Sequence, residues 1–352
     1  MKKRSINKDL DNFDFFNKIN EIGRKVHEKF NDILYEDVEE VEILSIFNYL
    51  ETYWFDSFRS SLIWFSNDIV GGDPEKTIAP SLIISLIGAG IGIHDDIIDN
   101  TEFKNLRKTI PSLFDTKKSL VVGDLLIITG LTSLNFLLKT YNVDIFNSIT
   151  RVFRDFYSEM AVGEIWEINA NKKLDIDLDI YHDMLWRLGA DGEACAKIGA
   201  ITGNATDKQT KVLSFLGRSM GYINRLNEEI KDVLNTGNNL QTRIKNESIP
   251  LALVYAGKKS KKYYKTINYI INKEELKKDD LKQIHDLCLN VNAFNYINNY
   301  VNKSYNEAMK KMDIFPNSYA KSMLILSLDY IMNKNVLKNR LDVHQVNPGP
   351  PV

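Results

Sequence analysis

Three aspartates lie close together at the end of an apolar segment of the chain. In the stretch GAGIGIHDDIID, Asp95, Asp96 and Asp99 follow a run without charged residues. On a helix, Asp95 and Asp99 share one face because side chains four residues apart lie on successive turns. Their like charges repel, whereas clustered carboxylate oxygens suit Mg²⁺, which takes its other ligands from water and phosphate groups. The motif therefore indicates a magnesium site, although an acidic helix end facing solvent would have the same sequence.

A second acidic triplet has the same spacing further along the chain. The stretch GYINRLNEEIKD contains Glu228, Glu229 and Asp232, again within an apolar pattern of helical period. Alone, this triplet is explained by an exposed helix face on which Arg225 and Lys231 pair with the acids. Two such triplets on two helices that face one channel could instead hold several Mg²⁺ ions around a diphosphate. We therefore predict that both triplets bind metal.

The elements that must position these acids are helices. Apolar residues recur at helical spacing in most long segments, and period-two alternation is scarce. The clearest helical segments are Phe47–Val70, Leu125–Leu138, Ile145–Trp166, Val212–Leu234 and Tyr319–Met332. Turn-forming residues predict breaks at Gly71–Pro74, Asn100–Ser112, Asn169–Asp177 and Asn235–Asn246. The pattern predicts an all-α fold, a single-domain helical bundle.

The bundle is expected to enclose a central apolar channel beside the first triplet. Gly88, Ile91 and Gly92 precede the aspartates by one and two turns on the same helix face, so small residues would form the channel floor. The predicted divisions of the chain are a helical segment at 1–45, the main domain at 46–340 and a disordered tail at 341–352.

Composition excludes several classes of protein. The 352 residues carry a net charge of -2, which gives no electrostatic case for binding nucleic acid. Cys195 and Cys288 form no metal-binding or disulfide pattern and are typical of a reducing compartment. Thr77–Ile93 is uncharged but shorter than the roughly 20 residues of a membrane span and contains Pro80. We therefore predict a cytoplasmic protein without a secretory signal or a membrane span.

Several motifs in this order resemble the trans-isoprenyl diphosphate synthases, the all-α family that includes farnesyl and geranylgeranyl diphosphate synthases. IHDDIIDNTEFK is similar to the first aspartate-rich motif of the family, and GDLLI to the helix after it. SMGYINRLNEEIKDVLN is similar to the second motif, with glutamates in place of its first two aspartates. KNESIPL resembles the lysine-containing loop that follows. The resemblance covers roughly residues 58–250.

The resemblance implies a reaction and its site residues. In the family, Mg²⁺ held by both motifs grips the diphosphate of an allylic substrate, whose carbon–oxygen bond ionises before isopentenyl diphosphate attacks the allylic cation. The apolar channel keeps water from that cation. By position in the family motifs, two Mg²⁺ ions would be bound by Asp95, Asp96 and Asp99. A third would be bound by the second triplet, Glu228, Glu229 and Asp232, with Glu228 as the direct ligand. Lys104 and Lys245 match lysine or arginine positions that contact the diphosphate, although each could be an ordinary surface lysine.

The expected site for isopentenyl diphosphate departs from the family pattern. Asp56 stands where a lysine belongs, whereas Arg59 keeps the expected arginine. The other departures are Gly88 at a polar position, Asn105 in place of the second arginine of a pair, and Leu188, next to Arg187, in place of a lysine. Each lost charge-assisted contact weakens binding by about 1.5–3 kcal/mol. Arg107 and Arg187 lie nearby in sequence and could replace the missing charges.

Three functions remain compatible with these residues. The first is a prenyltransferase that condenses an allylic prenyl diphosphate with isopentenyl diphosphate. The second is a class I terpene synthase that cyclises such a diphosphate alone, although neither Asn224 nor Asn227 begins the N-x-x-x-S-x-x-x-E pattern usual in that class. The third is a non-catalytic partner subunit, against which the intact DDIID argues. The resemblance also implies a homodimer.

Overall fold

The computed structural model describes residues 12–36, 38–104, 106–234 and 238–333, and these residues are almost entirely helical. The first eight α-helices are α1 (Asn12–Leu34), α2 (Val41–Glu51), α3 (Ser57–Asp68), α4 (Ile78–Ile98), α5 (Ile110–Phe114), α6 (Thr116–Thr132), α7 (Val143–Ala170) and α8 (Leu178–Leu188). The remaining eight are α9 (Ala190–Thr202), α10 (Asp207–Leu234), α11 (Asn238–Asn246), α12 (Leu251–Lys259), α13 (Lys261–Ile271), α14 (Lys278–Asn290), α15 (Ala293–Lys311) and α16 (Tyr319–Asn333). This architecture confirms the predicted all-α class.

Short elements complete the described chain. Pro74–Thr77, Ser133–Lys139 and Met312–Ile314 form 3-10 turns. Strands β1 (Phe103–Lys104) and β2 (Arg107–Lys108) form an antiparallel hairpin in which Lys104 pairs with Arg107. The hairpin is tied to the end of α4 because Thr109 donates a hydrogen bond to Thr101 O through its hydroxyl (2.6 Å).

The described residues divide into two compact units. The first unit comprises the described parts of Met1–Glu159, Ala190–Arg218 and Lys310–Leu326. The second comprises those of Met160–Gly189, Ser219–Met309 and Ser327–Val352. The first acidic triplet belongs to the first unit and the second triplet to the second unit. The division at residues 45 and 340 stays a prediction, and the predicted tail at 341–352 lies outside the described residues.

The core of the first unit forms around α4 and α6 and includes the N-terminal helix. Apolar side chains from α1, α2, α4, α5 and α6 pack into one buried cluster. Its fully buried members are Val26, Phe30, Leu34, Ile46, Phe47, Leu50, Leu82, Leu86, Ala89, Ile93, Ile110, Val122 and Leu126. The segment before residue 45 therefore contributes to the core that supports the first acidic triplet.

Helices α4 and α6 approach each other through glycines. A Cβ atom on Gly90 would lie 2.5 Å from the carbonyl oxygen of Gly123, and one on Gly130 would lie 2.7 Å from Cγ1 of Ile87. Neither distance is compatible with a side chain, so the close packing of the two helices requires glycine. Glycine is less favourable than alanine in a helix by about 1 kcal/mol, so at Gly90 and Gly130 this cost accompanies the close contact of the two helices.

Two differences from the predicted pattern affect the site. The apolar segment Phe47–Val70 is not one helix, because Asp56 begins α3 by accepting a hydrogen bond from the backbone N–H of Arg59 (3.2 Å). The predicted break at Asn235–Asn246 contains α11, whose polar composition concealed its helical character.

Two described helical stretches are long and apolar enough to cross a membrane by length and composition. They are Pro74–Ile98 and Thr116–Lys139. Of the most apolar 18 residues in each stretch, 67% are buried in the first and 39% in the second. The first is explained as a core helix. The second has exposed apolar side chains, among them Val121 and Ile128. The absence of a membrane span stays a prediction.

The glycine contact gives a test within one helix. Gly90→Ala is expected to lower the free energy of unfolding by about 1–3 kcal/mol, because its methyl group meets the backbone of Gly123. Gly92→Ala is the matched control, since a Cβ there meets only Trp54 Cζ3 at 3.7 Å and alanine favours the helix by up to about 1 kcal/mol. Urea denaturation followed by circular dichroism measures both variants. Equal stability of the two variants would contradict the contact.

Candidate active site

The first acidic triplet lies at the C-terminal end of α4. Asp95 is half-buried, Asp96 is buried, and Asp99 is the residue at which the helix ends, with its N–H bonded to Asp95 O (2.9 Å). The last carbonyl groups of a helix carry partial negative charge, so this end favours a cation. That cation is provided within the chain by Lys104 of β1. Its Nζ lies 2.9 Å from Asp95 Oδ2 and 2.6 Å from Asp96 Oδ1.

The surroundings of these groups shift their proton affinities. Burial raises the pKa of the Asp96 carboxyl, and Lys104 opposes that effect. Burial lowers the pKa of Lys104, but Asp95 and then Asp96 raise it above its ordinary value overall. Asp96 Oδ1 is buried without a partner in hydrogen-bond geometry, although Lys104 is within ion-pair distance. A buried carboxylate oxygen of this kind is suited to a cation.

The small-residue face of α4 lies beside an aromatic ring. A Cβ on Gly88 would be 3.6 Å from Trp54 Cζ2, and one on Gly92 would be 3.7 Å from Trp54 Cζ3. The indole N–H of Trp54 donates to Ser85 Oγ at 3.1 Å. Ile91, on the same helix, is half-buried. Gly88, Ile91 and Gly92 precede the first triplet on α4, and the channel that they are expected to line stays a prediction.

The cationic residues predicted in the first unit have different surroundings. Arg107 of β2 is half-buried, and its Nη1 donates to Thr52 O at 3.4 Å. Arg59 is paired with two aspartates, Asp56 and Asp191. Arg107 is thus held by a backbone group, whereas Arg59 is neutralised by carboxylates. Asn105, which replaces an arginine of the family pattern, lies outside the described residues.

The second triplet occupies α10, where its three members have unequal exposure. Glu228 is exposed, and its Oε1 accepts a hydrogen bond from Asn224 Nδ2 at 3.0 Å. Asp232 is half-buried, and its Oδ2 accepts from Arg243 Nη1 at 3.3 Å. Burial raises the pKa of Asp232, against the effect of Arg243. Glu229 is only 1% exposed. Glu228 is therefore the member most open to solvent.

Glu229 is enclosed by groups that bind both of its oxygens. Oε1 lies 2.6 Å from Arg243 Nη2, and Oε2 accepts the backbone N–H of Leu251 at 2.6 Å. The hydroxyl of Tyr181 lies 3.2 Å from Oε1. Because Leu251 begins α12 and Pro250 provides no side-chain cap, Glu229 caps that helix from another element. Burial raises the pKa of Glu229 to about 7, with Arg243 opposing the shift.

Arg243 is the central cation of this cluster and was not singled out in the sequence. Besides Glu229 and Asp232, its guanidinium contacts Glu167 at 3.3 Å and Glu247 at 3.1 Å. Burial lowers the pKa of Arg243, but Glu229 and the other acids raise it well above its ordinary range overall. Only the segment KNESIPL, which begins two residues later at Lys245, pointed to this region.

The two other predicted cations of the second unit lie outside that cluster. Lys245 is exposed near the end of α11. Arg187 of α8 is half-buried, with its guanidinium carbon 5.2 Å from the centre of the Trp166 ring and Nε 3.4 Å from Asp183 Oδ2. Their roles as diphosphate contacts stay predictions.

The donor set agrees with the way in which Mg²⁺ is usually held. Within the described ranges, no three His, Cys, Asp or Glu side chains converge to hold a metal ion by themselves. Mg²⁺ typically binds through one or two carboxylates, with waters and substrate phosphates as its other ligands. Asp95 and Asp96 form such a pair at the end of α4. The residues present therefore fit Mg²⁺ brought together with a phosphorylated substrate.

Comparisons with known proteins give the family whose sequence model matches this chain. The sequence model of the family described as polyprenyl synthetase matches residues 45–288. A short chain isoprenyl diphosphate synthase of Methanothermobacter thermautotrophicus is 24% identical over 61% of this chain and 66% of its own length. A geranylgeranyl diphosphate synthase of Saccharolobus solfataricus is 22% identical over 76% of this chain and 82% of its own length.

The described fold is also similar to solved structures. The geranylgeranyl pyrophosphate synthetase of Pyrococcus horikoshii superposes with a TM-score of 0.81 at 22% identity, over 91% of this chain and 98% of the other. A decaprenyl diphosphate synthase of Rhodobacter capsulatus gives a TM-score of 0.80 at 18% identity, over 91% and 98% of the two chains. At these identities the likeness establishes the fold.

Arg243 provides a test of the buried cluster. Arg243→Met is expected to lower the free energy of unfolding by about 3–5 kcal/mol, because Glu229 and Glu167 would lose their buried counter-charge. Lys245→Met, an exposed substitution on the same helix, is the matched control and should change stability by less than about 0.5 kcal/mol. Urea titrations of both proteins decide the matter. Similar midpoints for the two variants would show that the cluster does not stabilise the fold.

Proposed function

Because the chain belongs to the polyprenyl synthetase family, we propose that it is a Mg²⁺-dependent prenyltransferase that condenses an allylic prenyl diphosphate with isopentenyl diphosphate. The observation that carries this proposal is the family match over residues 45–288, a range that contains both acidic triplets. The names of the relatives, a short chain isoprenyl and a geranylgeranyl diphosphate synthase, support it. The product is a prenyl diphosphate longer by one isoprene unit at each condensation.

The metal ligands in this proposal are carboxylates of the two triplets. Asp95, Asp96 and Asp99 would hold two Mg²⁺ ions, and Glu228 with Asp232 would hold a third. When bound, Mg²⁺ would neutralise the charge that develops on the diphosphate as its bond to the allylic carbon breaks. Glu229, a member of the predicted set, acts by holding Arg243 and the start of α12, since both of its oxygens already accept hydrogen bonds.

Other residues of the chain bind substrate and exclude water. Lys104 Nζ, next to Asp95 and Asp96, donates hydrogen bonds to the diphosphate, and Arg107 adds a second positive charge from the paired strand. The apolar face of α4 keeps water from the allylic cation. The allylic carbon–oxygen bond breaks, the allylic carbon bonds to the terminal alkene carbon of isopentenyl diphosphate, a proton leaves that substrate, and inorganic diphosphate is released.

The function is tested with purified protein, Mg²⁺, and geranyl, farnesyl or geranylgeranyl diphosphate, each with and without isopentenyl diphosphate. We expect longer prenyl diphosphates only when isopentenyl diphosphate is present. A hydrocarbon or alcohol formed without it would instead establish a terpene cyclase. Absence of turnover under both conditions would favour a non-catalytic partner subunit.

The same assay tests the first triplet. Asp95→Ala is expected to reduce turnover by about a hundredfold or more, because it removes a proposed metal ligand. Asp32→Ala is the matched control, since Asp32 is an exposed carboxylate of α1 whose side chain is 67% exposed. Circular dichroism should give the same helix content for both variants. Turnover by Asp95→Ala at the rate of the control would contradict the assignment.

We further propose that the enzyme is a homodimer formed through α6. Along this helix, Leu120, Val121, Ile128 and Leu131 are exposed at helical spacing, which places them on one outward face. An exposed apolar stripe of this kind is typical of a protein interface. A second copy of the chain would cover it, in agreement with the dimer implied by the family resemblance.

Charge placed on that stripe tests the dimer. The double substitution of Val121→Glu and Ile128→Glu is expected to convert the dimer to a monomer, because burying two carboxylates in an apolar interface is unfavourable. Val41→Glu is the control, since Val41 is 72% exposed on α2. Light scattering coupled to gel filtration measures the masses. A monomeric wild-type protein, or a doubly substituted dimer, would refute this interface.

We also propose that the protein acts in the cytoplasm. Cys195 and Cys288 are both buried and unpaired, which agrees with a reducing compartment. The nearly balanced charge of the chain supports the absence of nucleic acid among its partners.

A further inference from the structure

Arg59 is held in an ion cluster with two aspartates of the first unit. Its Nη1 lies 3.2 Å from Asp56 Oδ2, and its Nη2 lies 3.2 Å from Asp191 Oδ2. The Nε–H of Arg59 also donates to Asp191 Oδ2 at 3.2 Å. Asp56 is well enclosed, with only 6% of its side chain exposed, whereas Arg59 and Asp191 are about a third exposed. The guanidinium is therefore engaged on two of its edges by carboxylates of the chain itself.

The cluster lies beside the small-residue face of α4. Arg59 Nη1 is 3.8 Å from the position of a Cβ on Gly88, and Gly88 precedes Asp95 by two helical turns. The Trp54 ring covers the same face at Gly88 and Gly92. A molecule bound against this face, next to the proposed metal site, would therefore meet Arg59 and its two acids.

The charge of the cluster is unfavourable for a second diphosphate. One guanidinium and two carboxylates carry a net charge of about −1, and phosphate groups bring further negative charge at neutral pH. A diphosphate could use the guanidinium only by displacing Asp56 or Asp191, or by lying next to their uncompensated charge. Both alternatives weaken binding compared with an unpaired arginine.

We propose that Asp56, together with Asp191, determines a low affinity for the acceptor diphosphate at Arg59. The inference rests on the proposed function, because it concerns how that enzyme binds isopentenyl diphosphate. The allylic diphosphate, which the proposed metal site binds, is unaffected. With the allylic substrate at a saturating concentration, the rate of elongation should consequently rise almost in proportion to the concentration of isopentenyl diphosphate.

Asp56→Asn isolates the charge from the fold. Asp56 is the N-cap of α3, and asparagine caps a helix as well as aspartate does, so the helix start is retained. The variant should bind isopentenyl diphosphate about tenfold more tightly, with the Michaelis constant for the allylic diphosphate unchanged. Asp191→Asn should act in the same direction. Asp73→Asn, another N-cap aspartate of the first unit, is the matched control and should change neither value.

Two measurements separate the proposal from the function on which it rests. Calorimetric titration of isopentenyl diphosphate in EDTA measures its dissociation constant without metal-dependent binding and without turnover. Elongation assays with Mg²⁺ measure the Michaelis constants for both substrates. Equal dissociation constants for wild-type, Asp56→Asn and Asp191→Asn proteins would overturn the role of the acids, even if the enzyme elongates. Tighter binding by both variants without elongation in any of them would support the role of the acids and refute the transferase. Thermal unfolding of each variant, compared with Asp73→Asn, verifies the fold.

Discussion

The close packing of α4 against α6 is the constraint on which the first acidic triplet depends. Gly90 and Gly123 let the two backbones approach without intervening side chains, and the buried cluster around them fixes the direction of α4. The last turn of that helix carries Asp95 and Asp96, so the rigidity of the core determines where both carboxylates lie. A cation site formed by helical residues is more exact than one formed by loops alone.

The two triplets differ in the cation that the chain itself provides. Lys104, on a short hairpin, contacts the first triplet. Half of its side chain is exposed, so its flexible ammonium group can exchange partners. Arg243 is buried and contacts the second triplet, binding several acids through its planar guanidinium. The first triplet is therefore open to an incoming cation or phosphate, whereas in the second only Glu228 is exposed while Glu229 stabilises the fold.

Much of this organisation follows from local sequence, and the remainder depends on residues far apart in the chain. Helical periodicity predicted the all-α class, and the DDIID string located the end of α4. Periodicity could not identify the hairpin after it, where Leu106 takes a φ of 66° and only two residues pair on each strand. Nor could it pair Arg59 with an aspartate 132 residues away, because no local pattern records such a contact.

That distant pairing changes what the arginine at position 59 implies. In the sequence, its presence among lost cations suggests a surviving anchor for substrate. In the structure, Arg59 joins α3 to α9 through Asp191 and is balanced by Asp56, so the fold alone gives a reason for an arginine there. Removing either acid would leave the guanidinium with one carboxylate partner in place of two, and removing the arginine would leave two acids close together. Asp56, Arg59 and Asp191 therefore form one ion cluster, which contains both the aspartate that departs from the family pattern and the arginine that keeps it.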